Sequence, residues 1–198
     1  MVDSGPASTE DRPVSAFQSI ELDGSAQLDI LVGPAPSLSI TAGPDARAAF
    51  TTRVEGDKLI LESHDRFWHA NPGKVRVRVT VPQLHSLTIG GAGEVSLNGL
   101  SGGNLNLAFN GAGSMEASGR IDTLAAQLNG AGNLNLSRLE AVSATVSANG
   151  AGSIEVNATG SLDATVNGVG SINYYGKPAK VTTAINGVGS ISPRNRDH

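Results

Sequence analysis

From Leu84 onward, apolar and polar residues alternate in short runs, and the runs recur about every nineteen residues. Alternation with period two marks strands that have one face buried and one face wet. Each repeat opens with a glycine–small–glycine corner. The corners are Gly91-Ala92-Gly93, Gly111-Ala112-Gly113, Gly130-Ala131-Gly132, Gly150-Ala151-Gly152, Gly168-Val169-Gly170 and Gly187-Val188-Gly189. Their first glycines are separated by 20, 19, 20, 18 and 19 residues. A four-residue strand follows each corner, as in Ser153-Ile154-Glu155-Val156, with its second position apolar and its third polar. A connector of variable length comes next, and then a six-residue strand such as Asn104 to Phe109 or Ser161 to Val166.

One such unit cannot bury its own apolar teeth, but stacked units can, each strand pairing with its counterpart one turn on, about 4.8 Å away. The pattern predicts an all-β, single-stranded β-solenoid, parallel β-helix-like, with turns of about nineteen residues and a column on the order of 30 Å tall. An antiparallel barrel or sandwich shares the alternation, but its turns would recur at every strand rather than at every second one. Glycines at the corners fit either a positive φ or a backbone too close to the next turn for a side chain. Five corners are preceded by asparagine: Asn110, Asn129, Asn149, Asn167 and Asn186. Asparagine amides stacked one turn apart can bond to one another, so a ladder is expected along one edge.

Residues 14–83 are less regular, yet alternation is visible at Ile20 to Leu22, Gln27 to Val32, Ser37 to Thr41, Lys58 to Glu62 and Lys74 to Val81. Pro44 and Asp45 suit the first turn of a short helix through Phe50. The run Leu22 to Leu28 resembles a weakened corner around Gly24. The expected organisation is a loose polar tail over 1–13, irregular capping turns over 14–83, regular repeats over 84–193 and a tail over 194–198, with 14–193 one continuous domain.

Composition narrows the function. Charged residues are 16% of 198, the formal net charge is -4 and cysteine is absent. Nucleic-acid binding needs clustered Lys and Arg, and an anionic membrane surface needs the same, so neither is expected. No apolar run is long enough for membrane insertion. Thiolate metal sites and cysteine nucleophiles are excluded.

With the corners in view, the opening Phe17-Gln18-Ser19-Ile20-Glu21-Leu22, the strand Val75 to Pro82 and Leu84-His85-Ser86-Leu87 complete a resemblance. The chain resembles the bacterial head-GIN domain family from about Phe17 through Ile191. The resemblance implies a β-helical fold like those of pectin lyases and certain acyltransferases, without their catalytic residues. It also implies export and an adhesion role, in the periplasm, at the outer membrane or outside the cell. Met1 to Pro6 has neither the basic nor the apolar region of a leader, which fits either a natively cytoplasmic chain or one whose leader has been removed, and the resemblance implies the second.

Candidate chemistry is sparse. A calcium β-roll needs aspartate in a nine-residue repeat, and a phosphate loop needs a helix and usually a lysine. The corners have neither, and the exteriors lack the threonine rows of an ice-binding face. No histidine falls within the repeats, which removes the usual acid–base group. His85, at a strand start, is read as structural or exposed. Glu94, Glu116 and Glu155 are placed at one repeat position. No catalytic, cofactor or metal residue is assigned. His64, Arg66, Trp68 and His69 form an unusual cluster, read either as an apolar plug at the end of the column or as a ligand patch for sugars or peptides. The expected function is an exported, non-enzymatic binding or adhesion protein, with a cell-surface glycan or protein as partner. The alternatives are a carbohydrate-active or acyl-transfer enzyme on the same fold, and an assembly module that self-associates by end or side packing.

Overall fold

A computed structural model describes residues 5–64 and 75–195 of the chain. The described residues hold sixteen strands, all joined in one sheet, and one six-residue helix. In chain order the strands are β1 (Ser8–Arg12), β2 (Ser19–Asp23), β3 (Gln27–Val32), β4 (Ser37–Ala42), β5 (Phe50–Glu55), β6 (Lys58–Ser63), β7 (Arg76–Val81), β8 (Ser86–Ile89), β9 (Ala92–Ser101), β10 (Asn104–Phe109), β11 (Ala112–Leu128), β12 (Ala131–Ala148), β13 (Ala151–Val166), β14 (Val169–Tyr175), β15 (Lys180–Ile185) and β16 (Val188–Pro193). The helix α1 (Pro44–Ala49) lies between β4 and β5.

The sheet coils as a β-solenoid, and like sits over like. On the side that follows the glycine corners, Val95, Met115, Leu134, Ile154, Ile172 and Ile191 are paired in parallel from one turn to the next. On the side that precedes the corners, Phe109, Leu128, Ala148, Val166 and Ile185 do the same. The alternate residues point inward and form a single apolar core. Large and small teeth share that core: Leu107 is followed by Ala126, Val146 and Ala164 in the same row. Such alternation lets neighbouring turns interdigitate at interior density.

The connector is not a loop. In β11, β12 and β13 the strand runs on from corner to corner, 17, 18 and 16 residues long. The connector pairs with its neighbours, as in Gly119 with Leu100 and Ile121 with Ala141, and it buries Leu100, Ile121, Leu139 and Ala158. Each regular turn therefore has three sides rather than two. The unequal repeat lengths are absorbed by register shifts between Glu116 and Ser118, between Leu136 and Glu140 and between Ala141 and Ser143. A bulge adds a residue without ending the pairing, and the one or two buried apolar residues per connector are too few to show as alternation.

The amino-terminal strands continue the column in an order unlike that of the chain. β2 and β3 form the layer next to β8 and β9, with Leu22 on Ile89 and Leu28 on Val95. β6 and β7 form the layer beyond it, with Leu61 on Leu22 and Val77 on Leu28. The chain thus lays an inner turn first, then an outer one, and crosses back to β8, where the His85 amide donates to Gln18 O at 2.7 Å. Antiparallel strands close this end: β5 on β6, β4 on β7 and β1 on β4. The β5–β6 hairpin turns on Gly56 and Asp57, with Gly56 at φ 64°, a region that favours glycine.

Two local expectations need correction. Residues 8–12, expected within a loose tail, are a strand. They carry no apolar period, and polar anchors hold them: Arg12 donates to Phe50 O at 2.7 Å and to Arg47 O at 3.1 Å, and the Thr9 and Thr41 hydroxyls are 2.8 Å apart. The helix stops at Ala49, because Phe50 is buried and pairs with Ser63 as the first residue of β5.

Candidate binding face

The corner glycines are explained by close approach. A Cβ on Gly111 would lie 1.6 Å from Gly91 O, and one on Gly130 would lie 1.8 Å from Gly111 O. The third glycine of each corner repeats the contact two residues on, with 2.0 Å from a Gly132 Cβ to Gly113 O. Any side chain there would push two turns apart.

The asparagine before the corner stands at the outer edge of this stack. Asn129 Nδ2 donates to Asn110 Oδ1 at 2.8 Å, Asn149 to Asn129 at 2.8 Å, Asn167 to Asn149 at 2.7 Å and Asn186 to Asn167 at 2.9 Å. The five amides form one exposed ladder along the column. It is an edge of structure, with four of its five amide nitrogens and four of its five carbonyl oxygens engaged within the ladder.

The surface beside it is different. Alternate residues of the strands after the corners point outward and form two parallel rows. One row contains Arg76, Gln27, Glu94, Ser114, Asn133 and Ser153. The other contains Arg78, Asp29, Ser96, Glu116, Asn135 and Glu155. Rungs repeat at about 4.8 Å along the column, and the rows lie roughly 7 Å apart along the strand. Glu94 pairs with Ser114, whereas Glu116 and Glu155 share the second row with Asn135 between them. The expectation of one position for all three acids fails for Glu94, because Glu94 directly follows its corner and Glu116 lies two residues further along its strand.

Gln27, Asp29, Glu94, Ser96, Ser114 and Glu116, with the backbone side of Val95, line a shallow depression of about 280 Å³. Among the described residues no side-chain hydrogen bond or ion pair engages the carboxylates of Asp29, Glu94 or Glu116. Arg76 is held to Gln27 Oε1 at 3.1 Å. The site therefore offers unused carboxylate acceptors, flanked by serine hydroxyls that donate and accept. It suits a ligand rich in hydroxyl or ammonium donors and repels phosphate. Among the described residues no group of three His, Cys, Asp or Glu is placed to hold a metal ion.

Gln27 and Asp29 were not singled out in the sequence. The weakened corner at Gly24 was the available signal: Ser25 bridges Ala92 and Ala26 occupies the place of the third glycine. Of the His64 cluster, Arg66, Trp68 and His69 lie outside the described residues. His64 is exposed, with Nε2 3.2 Å from Thr51 Oγ1 and 3.6 Å from Glu62. His85 is exposed just before β8.

A family model described as putative auto-transporter adhesin, head GIN domain, matches residues 16–178. Among solved structures, a putative adhesin from Bacteroides fragilis NCTC 9343 is 26% identical, covering 96% of this chain and 98% of its own, with a TM-score of 0.72. A putative lipid binding protein from Parabacteroides distasonis ATCC 8503 is 22% identical, with coverage of 96% and 98% and a TM-score of 0.51. A putative adhesin from Parabacteroides merdae ATCC 43184 is 15% identical, with coverage of 96% and 97% and a TM-score of 0.50. The last two share the fold alone. No curated protein matches the chain.

Proposed function

Because the chain belongs to the head GIN domain family, described as putative auto-transporter adhesins, we propose that it is an exported, non-catalytic adhesion module that holds a cell-surface glycan on the outward rows of its corner strands. The observation that carries this reading is the depression over Gln27, Asp29, Glu94, Ser96, Ser114 and Glu116, whose carboxylates have no protein partner among the described residues. Sugar hydroxyls donate to such acceptors and accept from serine and asparagine. A polymer with repeating hydroxyl pairs can follow the rows beyond the depression, so weak contacts add along its length.

The absence of histidine from both rows supports binding over acid–base turnover. So does the openness of the depression, which leaves its carboxylates in water, where their pull on a reacting group is weak.

Calorimetry with the purified chain and soluble fragments of peptidoglycan and surface polysaccharide tests the proposal. Saturable binding is expected, and Glu116→Ala should weaken it about tenfold, the loss of one charge-assisted hydrogen bond. Circular dichroism should show the variant folded. Equal affinity for Glu94→Ala, Glu116→Ala and the parent would move the site elsewhere. Binding of purified surface proteins with none to glycans would replace the ligand class.

A further inference from the structure

We propose that Asn186–Gly187 is a spontaneous covalent modification site, and that the asparagine ladder suppresses the same reaction at the interior turns. Five corners carry Asn-Gly, and Asn98-Gly99 adds a sixth pair. In this dipeptide no side chain on the second residue hinders ring closure. The glycine peptide nitrogen gives up its proton and bonds to the asparagine Cγ. The bond from Cγ to Nδ2 breaks, and ammonia leaves carrying that proton. Water then adds to the cyclic imide and opens it at either carbonyl, leaving aspartate or isoaspartate. Water is the only co-reactant.

The ladder ranks the six pairs. Asn129, Asn149 and Asn167 each donate through Nδ2 to the turn before and accept at Oδ1 from the turn after. Their following amides are held as well: Gly130 donates to Phe109 O at 3.3 Å, Gly150 to Leu128 O at 3.1 Å and Gly168 to Ala148 O at 3.3 Å. Asn98 is engaged at both amide atoms, by Ser96 and by Ser118. Asn110 keeps one ladder bond, and its corner is pinned between turns, with Gly91 O against Gly111 and Gly111 O against Gly130.

Asn186 is unlike Asn98 and the three interior asparagines; it shares with Asn110 a single ladder bond and a following glycine amide that makes no backbone hydrogen bond among the described residues, and it differs from Asn110 in lying at the last corner of the stack. It makes one ladder bond, and among the described residues nothing donates to its Oδ1. The Gly187 amide makes no backbone hydrogen bond among the described residues, and Gly187 is exposed. Among the described residues the corner is covered on one side only, with Val188 73% exposed. Isoaspartate at 186 would lengthen the main chain by one methylene and slide β16 out of register with β14.

Ageing the full chain at mildly alkaline pH, followed by peptide mapping for amide-to-acid conversion, tests this. An interior asparagine must break two more hydrogen bonds, so Asn186 should convert about tenfold or more faster than Asn129, Asn149 or Asn167. In denaturant the five corner pairs should converge to similar rates. In Asn186→Ser the ladder ends one turn earlier, and Asn167 should convert faster than in the parent. Equal rates in the folded chain, an interior asparagine reacting first, a ranking that survives denaturation, or an unmoved Asn167 in Asn186→Ser would each overturn the proposal.

Discussion

At Gly130 a methyl group would meet a carbonyl oxygen at 1.8 Å, while at Gly103 it would meet nothing within 4 Å. The two glycines exist for different reasons. Gly103 has a φ of 83°, so alanine there costs only the left-handed conformation. Gly130→Ala should destabilise the fold by more than about 3 kcal/mol, because two turns must separate, and Gly103→Ala by about 1–2 kcal/mol. Urea unfolding of the two variants measures the difference. The ladder is gentler. Asn149→Ala removes three exposed hydrogen bonds, two within the ladder and one from Ser147, and should cost about 1–2 kcal/mol. The same substitution at Asn186 removes one bond and should cost about a third as much.

Elements differ in what holds them. The regular turns are held by apolar teeth and parallel ladders, and the outermost amino-terminal layer by a hairpin and exposed ion pairs. Arg53 ties β5 to β6 through both oxygens of Glu62, at 2.5 and 3.1 Å. The hydrogen bond from Arg53 holds the Glu62 carboxyl below its ordinary value of 4.5. A carboxyl depressed in the folded state stabilises it above that ordinary value and loses the contribution as pH falls through the lowered one. Lys58 Nζ, 2.9 Å from Glu21, is raised above 10.5 by its hydrogen bond to that carboxylate, so its contribution holds at neutral pH and fades above the raised value. Thermal unfolding followed from pH 7 downward should show Tm falling below about pH 4.5, and Glu62→Gln should flatten part of that fall. A variant with an unchanged acid limb would mean that the pair adds nothing to stability, a common outcome for pairs at the surface.

The whole molecule has two unlike ends. The amino-terminal end is covered by β1, β4, α1 and β5, and Phe50 is buried beneath them. At the other end β15 and β16 carry the last turn, and Val181, Ile185 and Val188 are 41%, 47% and 73% exposed. In a stacked coil each turn is stabilised chiefly by its neighbours. Ile154→Ala, in a turn covered on both sides, should therefore cost about 2–5 kcal/mol, and Ile185→Ala under about 1 kcal/mol. Native-state hydrogen exchange should show the amides of β15 and β16 opening well before those of β12, as terminal units fray. Uniform protection along the column would contradict a one-dimensional stack.

The periodicity by itself determined the coil, the stacking of residues about nineteen apart and the ladder from Asn110 to Asn186. Each is a local rule repeated, and repetition makes a local rule legible. The tertiary structure decided the rest. That β6 and β7 lie outside β2 and β3 depends on which apolar faces meet. Leu22 is sandwiched between Ile89 and Leu61, and no local pattern encodes that choice. The third side needed the same long-range pairing, since a lone Leu100 or Ile121 has no period of its own. The depression joins Asp29 to Glu94 and Glu116 across turns far apart in sequence. Residues distant along the chain share a surface only after the ladders have set the register.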